Sequence, residues 1–155
     1  MILRLKDGLD SQEPSTNGIS AVNLFRLSTI LGDGAYAQKA KDTTAAFSAE
    51  VLEHPAMFAS MMAPIVAANL GMRSIVLVGA EADGVELKQI RGRLLTNTTV
   101  VVLSGKEQWL LSRNELYKES VKANGGKAKV QVCEGTVCLD AFDLAGLEKA
   151  LEEMG

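Results

Sequence analysis

Apolar residues recur at helical spacing through the first part of the chain and then give way to short β-branched runs. Leu24, Leu27 and Leu31 stand three and four residues apart, which places them on one face of a helix predicted for 18–31. Gly32 can end this helix in a left-handed conformation, as glycine commonly does. The pattern therefore predicts a helical part followed by a part that contains strands.

The same spacing continues into a second helix, predicted for 36–52, and a third that begins at Pro55. The short GDGA link predicts that the first two helices pack as an antiparallel hairpin. Proline is tolerated in a first helical turn, because its missing N–H has no partner there. Pro64 lies inside the third helix, so we expect a kink or an early break at that residue.

From residue 72 onward, three β-branched runs alternate with helical stretches. The runs 74–78 and 98–103 are apolar or β-branched throughout, which is typical of strands covered on both faces. The run 129–133 alternates polar and apolar residues and therefore predicts an edge strand. Because helical stretches separate the strands, the connections favour a small, mostly parallel sheet.

Helices are predicted after each of these strands. Asp83 is placed to cap a helix whose apolar face ends at Leu94, a polar helix is predicted for 106–121, and Asp143 is placed to cap the last helix. The predicted fold class is therefore mixed α and α/β. It comprises N-terminal helical hairpins in residues 1–71 and a small, mostly parallel three-stranded α/β subdomain in residues 72–155.

Composition and charge exclude several classes of protein. The chain has 155 residues, of which 47% are apolar, so one ordinary domain or two small halves can form a core. Its formal charge is −3, and Lys and Arg are scattered among Asp and Glu. No basic face is apparent, so the sequence does not predict nucleic-acid binding. No apolar run approaches the ~20 residues of a membrane span, and no signal peptide is evident. We expect a cytoplasmic protein that binds neither nucleic acid nor membrane; mitochondrial or secreted locations stay open if the natural N-terminus lies upstream.

The segment EPSTNGIS is the most specific candidate for chemistry. Glu13 stands on a proline-stiffened loop beside Ser15 and Asn17, so its carboxylate could act as a general acid or bind a sugar hydroxyl. Glycoside hydrolysis normally needs a second carboxylate, and nothing in the sequence shows that Asp7 or Asp10 converges with Glu13. The residues favour the other interpretation, in which Ser15 or Asn17 caps the following helix and the segment anchors the loop.

Cys133 and Cys138 are the second candidate, as a thiol-redox pair. Their spacing in CEGTVC is wider than that of a CxxC pair, and a zinc site would need two further Cys or His ligands. The single histidine, His54, stands at the end of a predicted helix, where it complements the negative end of the helix dipole. We do not expect it to be catalytic. The two sulfurs could meet across a hairpin as a disulfide, but two buried thiols are the expected state. We therefore expect neither a metal nor a cofactor.

These segments, in this order, resemble the C-terminal region of the spermatogenesis-associated protein 20 family. The resemblance rests on DGLDSQEPSTNGISAVNLFRL, AFSAEVLEHPAMF, SIVLVGA, TTVVVL and VQVCEGTVC. It covers essentially the whole chain but only the last portion of a typical member, and its wording resembles that of a fungal version. Such proteins are thioredoxin-domain-containing and are thought to join that domain to an α/α toroid like that of six-hairpin glycosidases.

The resemblance implies that the helical part supplies closing hairpins of the toroid, with the loop of Glu13, Ser15 and Asn17 at the mouth of its cavity. The thioredoxin cysteine motif is absent from this chain, so the redox chemistry of that domain is not implied. Ala141 also departs from the proline that members tend to have three residues after the second cysteine.

We therefore predict a C-terminal structural or interaction module, and we do not expect this chain alone to be an enzyme. Two alternatives stay open: part of a carbohydrate-binding or carbohydrate-active six-hairpin protein, and a small thiol-redox module. The expected partners are a second copy of the chain, the upstream domains, or a sugar.

Overall fold

A computed structural model describes residues 7–79, 84–123, 129–134, 137–142, 145–146 and 148–149. These residues form two compact units. The first contains 7–28 and 33–71, and the second contains 29–32 and the described residues from 72 onward. The predicted mixed α and α/β class is confirmed. Among the described helices, none has the length and apolar character that a membrane crossing requires.

The first unit is helical. Its elements are α1 (Thr16–Leu31), α2 (Gly34–Ala45), α3 (Ser48–Glu53), a 3₁₀-helix (Pro55–Phe58) and α4 (Ala59–Leu70). Gly32 follows α1 with a φ of 66°, so the predicted left-handed helix end is confirmed. The predicted antiparallel packing of α1 against the second helix is wrong, because α2 packs against α4 instead.

The single second helix predicted for 36–52 is wrong, because the chain leaves helical geometry at Phe47, between α2 and α3. The Phe47 ring is buried, and its centroid lies 6.4 Å from that of Phe58. A Cβ at Gly8 would lie only 2.6 Å from the Phe47 ring, so the N-terminal segment also contacts it closely. Packing against residues distant in sequence therefore accompanies the break.

The early break expected at Pro64 is also wrong. Pro55 begins the 3₁₀-helix as predicted, but α4 continues through Pro64 to Leu70, and the irregular geometry lies earlier, at Phe58. Proline inside a helix leaves the carbonyl four residues earlier, that of Ser60, without its usual donor. Pro64 is itself fully buried, so apolar packing offsets the lost bond.

The second unit is built on a four-stranded sheet. Its elements are β1 (Arg73–Val78), α5 (Val85–Arg91), β2 (Thr98–Leu103), α6 (Gln108–Arg113), α7 (Glu115–Ala123), β3 (Lys129–Glu134) and β4 (Val137–Phe142). The strand order is β2-β1-β3-β4. β1 and β2 are parallel, whereas β3 is antiparallel to both β1 and β4. The described sheet thus has four strands rather than the predicted three, and it is mixed rather than mostly parallel. A two-residue connection between β3 and β4 permits only antiparallel pairing.

The positions of two strands differ from the prediction. β1 is buried along almost its whole length, as expected. β2 lies at an edge of the sheet, with Val100 39% exposed. β3 lies inside the sheet and buries Gln131, whose polar character had suggested an edge.

Two helices of the second unit are shorter than predicted. Asn114, with an extended backbone, divides the stretch 106–121 into α6 and α7. α5 ends at Arg91, so Leu94 is 91% exposed rather than packed. Asp83 and Asp143, the predicted caps, lie outside the described residues.

The sheet separates two apolar clusters. One contains Ile75, Leu77, Val130 and Val132 with Leu87 and Ile90 of α5. The other contains Val76, Val78, Val101, Leu103 and Cys133 with Tyr117 of α7. Alternate side chains of β1 belong to opposite clusters, as the twofold repeat of a strand requires.

Candidate functional site

The N-terminal loop converges on the carboxylate of Asp10. Its Oδ1 accepts a hydrogen bond from the Ser15 N–H at 2.7 Å and one from the Ser60 hydroxyl at 2.5 Å. Its Oδ2 accepts from the Ser60 N–H at 2.6 Å. The pKa of Asp10 is lowered from its usual value, mainly because the Ser60 hydroxyl and N–H stabilise the anion. Asp10 is therefore held as an anion at neutral pH.

The two serine hydroxyls form a chain with a defined direction. Ser15 Oγ lies 2.9 Å from Ser60 Oγ and accepts from the Gly18 N–H at 3.1 Å. A hydroxyl has a single proton, and Ser60 donates its own to Asp10, so Ser15 must donate to Ser60. The order of donors is Gly18 N–H, Ser15 O–H and Ser60 O–H, ending on the Asp10 carboxylate. We call Asp10, Ser15, Gly18 and Ser60 the Asp10 clasp.

The clasp also begins α1. Ser15 occupies the N-cap position, and its hydroxyl accepts from the amide three residues later, so its predicted capping role is confirmed. Asn17 does not cap the helix; its Nδ2 donates to the Asp7 carbonyl at 2.6 Å. Gly18 is required for the close approach of α1 to α4, because a Cβ there would lie 2.3 Å from the Ser60 hydroxyl.

Glu13, the candidate acid, lies outside the clasp. Its side chain is exposed, and its backbone carbonyl accepts from the Ser11 N–H at 3.1 Å. The Asp7 carboxylate accepts from the Leu9 N–H at 2.9 Å, and Asp10 is occupied by three donors. The structure therefore brings Ser15 together with Asp10 but does not join Glu13 to a second carboxylate through any described hydrogen bond.

His54 has a local partner rather than a catalytic one. It lies at the end of α3, and its Nε2 is 3.6 Å from a carboxylate oxygen of the adjacent Glu53, with both side chains largely exposed. In the part of the chain that the structure describes, no group of three or more His, Cys, Asp or Glu residues could hold a metal ion.

The expectation of two free thiols is wrong for Cys133, which is disulfide-bonded. The only other cysteine in the chain, Cys138, lies opposite Cys133 in the register of β3 and β4. Cys133 is 2% exposed, in the apolar cluster beside α7. The register of the hairpin is the decisive feature, and the spacing of the cysteines alone did not reveal it.

A second polar cluster, which the sequence did not single out, lies in the second unit. Asn114 Nδ2 donates to the carbonyls of Thr29 and Ile30 at 3.3 and 3.1 Å, and its Oδ1 accepts from the Tyr117 N–H at 3.4 Å. One side chain thus caps the end of α1 and the start of α7. The Tyr117 hydroxyl donates to the Thr29 carbonyl at 3.3 Å, and burial raises the pKa of Tyr117 to about 12.

Comparison with known proteins yields relatives that are much longer than this chain. No protein-family model and no solved structure matches the chain. It is 28% identical to spermatogenesis-associated protein 20 of Mus musculus over 97% of this chain and 20% of that protein. The Homo sapiens protein of the same name is 27% identical over 88% of this chain and 18% of its own length. These similarities support homology to the spermatogenesis-associated protein 20 family.

An uncharacterized protein of Caenorhabditis elegans, B0495.5, is 29% identical over 88% of this chain and 19% of that protein. The chain therefore spans about a fifth of the length of the curated relatives that it matches. Because the mouse match covers nearly the whole chain, both the Asp10 clasp and the sheet of the second unit fall within the region related to spermatogenesis-associated protein 20.

Proposed function

We propose that this chain is the C-terminal structural and interaction module of a protein related to spermatogenesis-associated protein 20, without catalytic activity of its own. The observation that carries this proposal is the Asp10 clasp. Both serine protons and both oxygens of the carboxylate take part in hydrogen bonds that join the N-terminal loop to α4. A serine whose proton is donated to a hydrogen-bonded carboxylate, with no histidine base in the cluster, is a structural group rather than an activated nucleophile.

The surface of α4 supports an interaction role. Apart from Ser60 and Asn69, the side chains of α4 are all apolar. A helix that is apolar on all sides is usually buried on all sides. Val66 and Leu70, which share a face at i and i+4, are nevertheless 41% and 72% exposed. We propose that helices from the remainder of a longer protein cover this face, as closing an α/α toroid would require. The toroid and a fungal source stay predictions.

Association of two separate polypeptides tests this role. The 155-residue chain and the remainder of the full-length protein would be purified separately and mixed in a calorimeter. We expect binding that is weakened at least tenfold by the double change Val66→Lys and Leu70→Lys, because it places two charges in an apolar contact. Leu94→Lys, which alters an exposed apolar residue of the second unit, is the matched control and should leave the affinity unchanged.

Absence of binding, or equal binding by the α4 variant, would refute the interaction role. Turnover of a substrate by the isolated chain, abolished by a single substitution within it, would refute the non-catalytic role.

The carbohydrate alternative has less support, since Glu13 is outside the clasp and has no described carboxylate partner. NMR titration with mono- and oligosaccharides is its test. Movement of the amide signals of Glu13, Ser15 and Asn17 would restore it, and we expect these signals to stay in place.

A further inference from the structure

The outer edge of β2 carries backbone groups that have no partner among the described residues. β2 ends the strand order, and β1 covers only its inner edge. The Gly79 N–H donates to the Leu103 carbonyl at 2.8 Å, so Leu103 and the other odd-numbered residues of β2 direct their N–H and C=O groups toward β1. The even-numbered residues Thr98, Val100 and Val102 therefore direct three N–H and three C=O groups outward.

β2 also lacks the features that normally protect an edge strand. Its sequence, TTVVVL, contains no charge and no proline, and the described register with β1 is continuous. Val100 is 39% exposed, and Thr98 and Val102 are partly exposed. At the opposite edge, β4 contains Asp140 and pairs with β3 through an irregular register. The β2 edge is thus the one suited to pairing with another strand.

We propose that the β2 edge binds the β2 edge of a second copy of this chain, in an antiparallel pair centred on Val100. In this register Val100 faces Val100 of the partner subunit, and Thr98 faces Val102 of the partner subunit. In an antiparallel pair, two facing residues whose backbone groups point toward the other strand exchange two hydrogen bonds. The three facing pairs therefore form six bonds and leave none of the outward groups of either copy unpaired.

Self-complementarity favours a second copy over an unrelated strand. Even-numbered residues of one strand face even-numbered residues of the other. The side chains of Val100 and Val102 from both copies therefore lie on the same face of the joined sheet. No charged side chain of one strand meets a like charge of the other, because β2 has none. A single strand pair forms a small interface, so the dimer is weak and depends on concentration.

Hydrogen exchange of the unaltered 155-residue chain tests the proposal directly. Exchange is measured by NMR at micromolar and at millimolar concentration, alongside sedimentation of the same samples. We expect the amides of Thr98, Val100 and Val102 to become protected as the dimer forms. The amides of Thr99 and Val101, which face β1, should be protected at both concentrations and serve as internal controls.

Two variants assign the contact to β2. Val100→Lys places like charges opposite each other at the centre of the pair, and we expect the dissociation constant to rise at least tenfold. Val100→Thr, which keeps a β-branched side chain, is the matched control and should dimerise like the parent chain. Val66→Lys on α4 should also leave the dimer intact, which separates this contact from the proposed α4 surface.

A strict monomer at millimolar concentration would overturn the proposal. So would a dimer in which the exchange of Thr98, Val100 and Val102 does not depend on concentration. Circular dichroism checks that Val100→Lys is folded; if it is not, the exchange data on the parent chain decide alone.

Discussion

Replacing Asp10 with asparagine tests whether the clasp stabilises the first unit. Asparagine has nearly the same shape as aspartate, but one carboxylate oxygen becomes an NH₂ donor and the charge is lost. If the amide nitrogen takes the place of Oδ2, it faces the Ser60 N–H; if it takes the place of Oδ1, it faces both the Ser15 N–H and the Ser60 hydroxyl. Either orientation sets a donor against a donor, so at least one hydrogen bond is lost.

The expected loss of stability follows from the kind of bond removed. A hydrogen bond to a charged group contributes about 1.5–3 kcal/mol, and Asp10 is partly exposed, so water compensates in part. We expect Asp10→Asn to lower the free energy of unfolding by about 2 kcal/mol. Ser60→Ala removes the same hydroxyl bond from the other side. The double variant should therefore lose less than the sum of the two single losses, by about 1 kcal/mol.

The pH dependence has a defined sign. Because the folded-state pKa of Asp10 is lowered, its charge stabilises the fold fully above the unfolded-state pKa, near the usual value of 3.8, and this contribution is lost as pH falls through the folded-state pKa. The stability difference between the parent chain and Asp10→Asn should therefore be constant near neutral pH and shrink on acidification below about pH 4. Asparagine does not titrate, so the difference isolates the contribution of Asp10.

Urea unfolding followed by far-ultraviolet circular dichroism measures these values, since the first unit is helical. Fluorescence is less suitable, because the one tryptophan, Trp109, lies in the second unit. Asp7→Asn is the matched control: its exposed carboxylate accepts one local bond, from the Leu9 N–H. The reasoning fails if Asp10→Asn is no more destabilising than Asp7→Asn, or if its effect does not change with pH.

Further substitutions test three other contacts. Gly18→Ala should cost at least about 1 kcal/mol in urea unfolding, because its Cβ would lie 2.3 Å from a serine hydroxyl of α4; equal stability would show that the helices separate easily. Asn114→Ala should cost about 2–3 kcal/mol, since the three hydrogen bonds of its side chain are lost, whereas Asn69→Ala, which removes one exposed bond, should cost under about 1 kcal/mol. Replacing Cys133 and Cys138 with alanine should cost about 2 kcal/mol by releasing a short loop. Thiol alkylation before reduction should leave the mass of the parent chain unchanged, and uptake of alkylating reagent at that stage would contradict the disulfide.

Local features were readable from the sequence because neighbouring residues determine them. The apolar repeat around Leu24 and Leu27 predicts a helix where α1 lies, but not its buried face, because α1 buries Gly18, Ala21 and Phe25 while Leu27 is 39% exposed. The sequence also identifies Ser15 as a helix cap and Gly32 as a left-handed end. The apolar run of β1 predicted a strand buried on both faces. Each depends on the periodicity of one element or on hydrogen bonds that span a few residues.

Tertiary structure alone decided which distant residues meet. Asp10 and Ser60 are separated by 50 positions, and neither was selected as a site residue, although together they form the clasp. Core packing of Phe47 accompanies the division of one predicted helix into two, and hydrogen bonds of Asn114 to the end of α1 accompany the division of another. Strand order left β2 at an edge and placed Cys133 opposite Cys138. Alternation along one strand shows which of its faces are apolar but not which strand becomes its neighbour, because that choice depends on contacts made only when the whole sheet assembles.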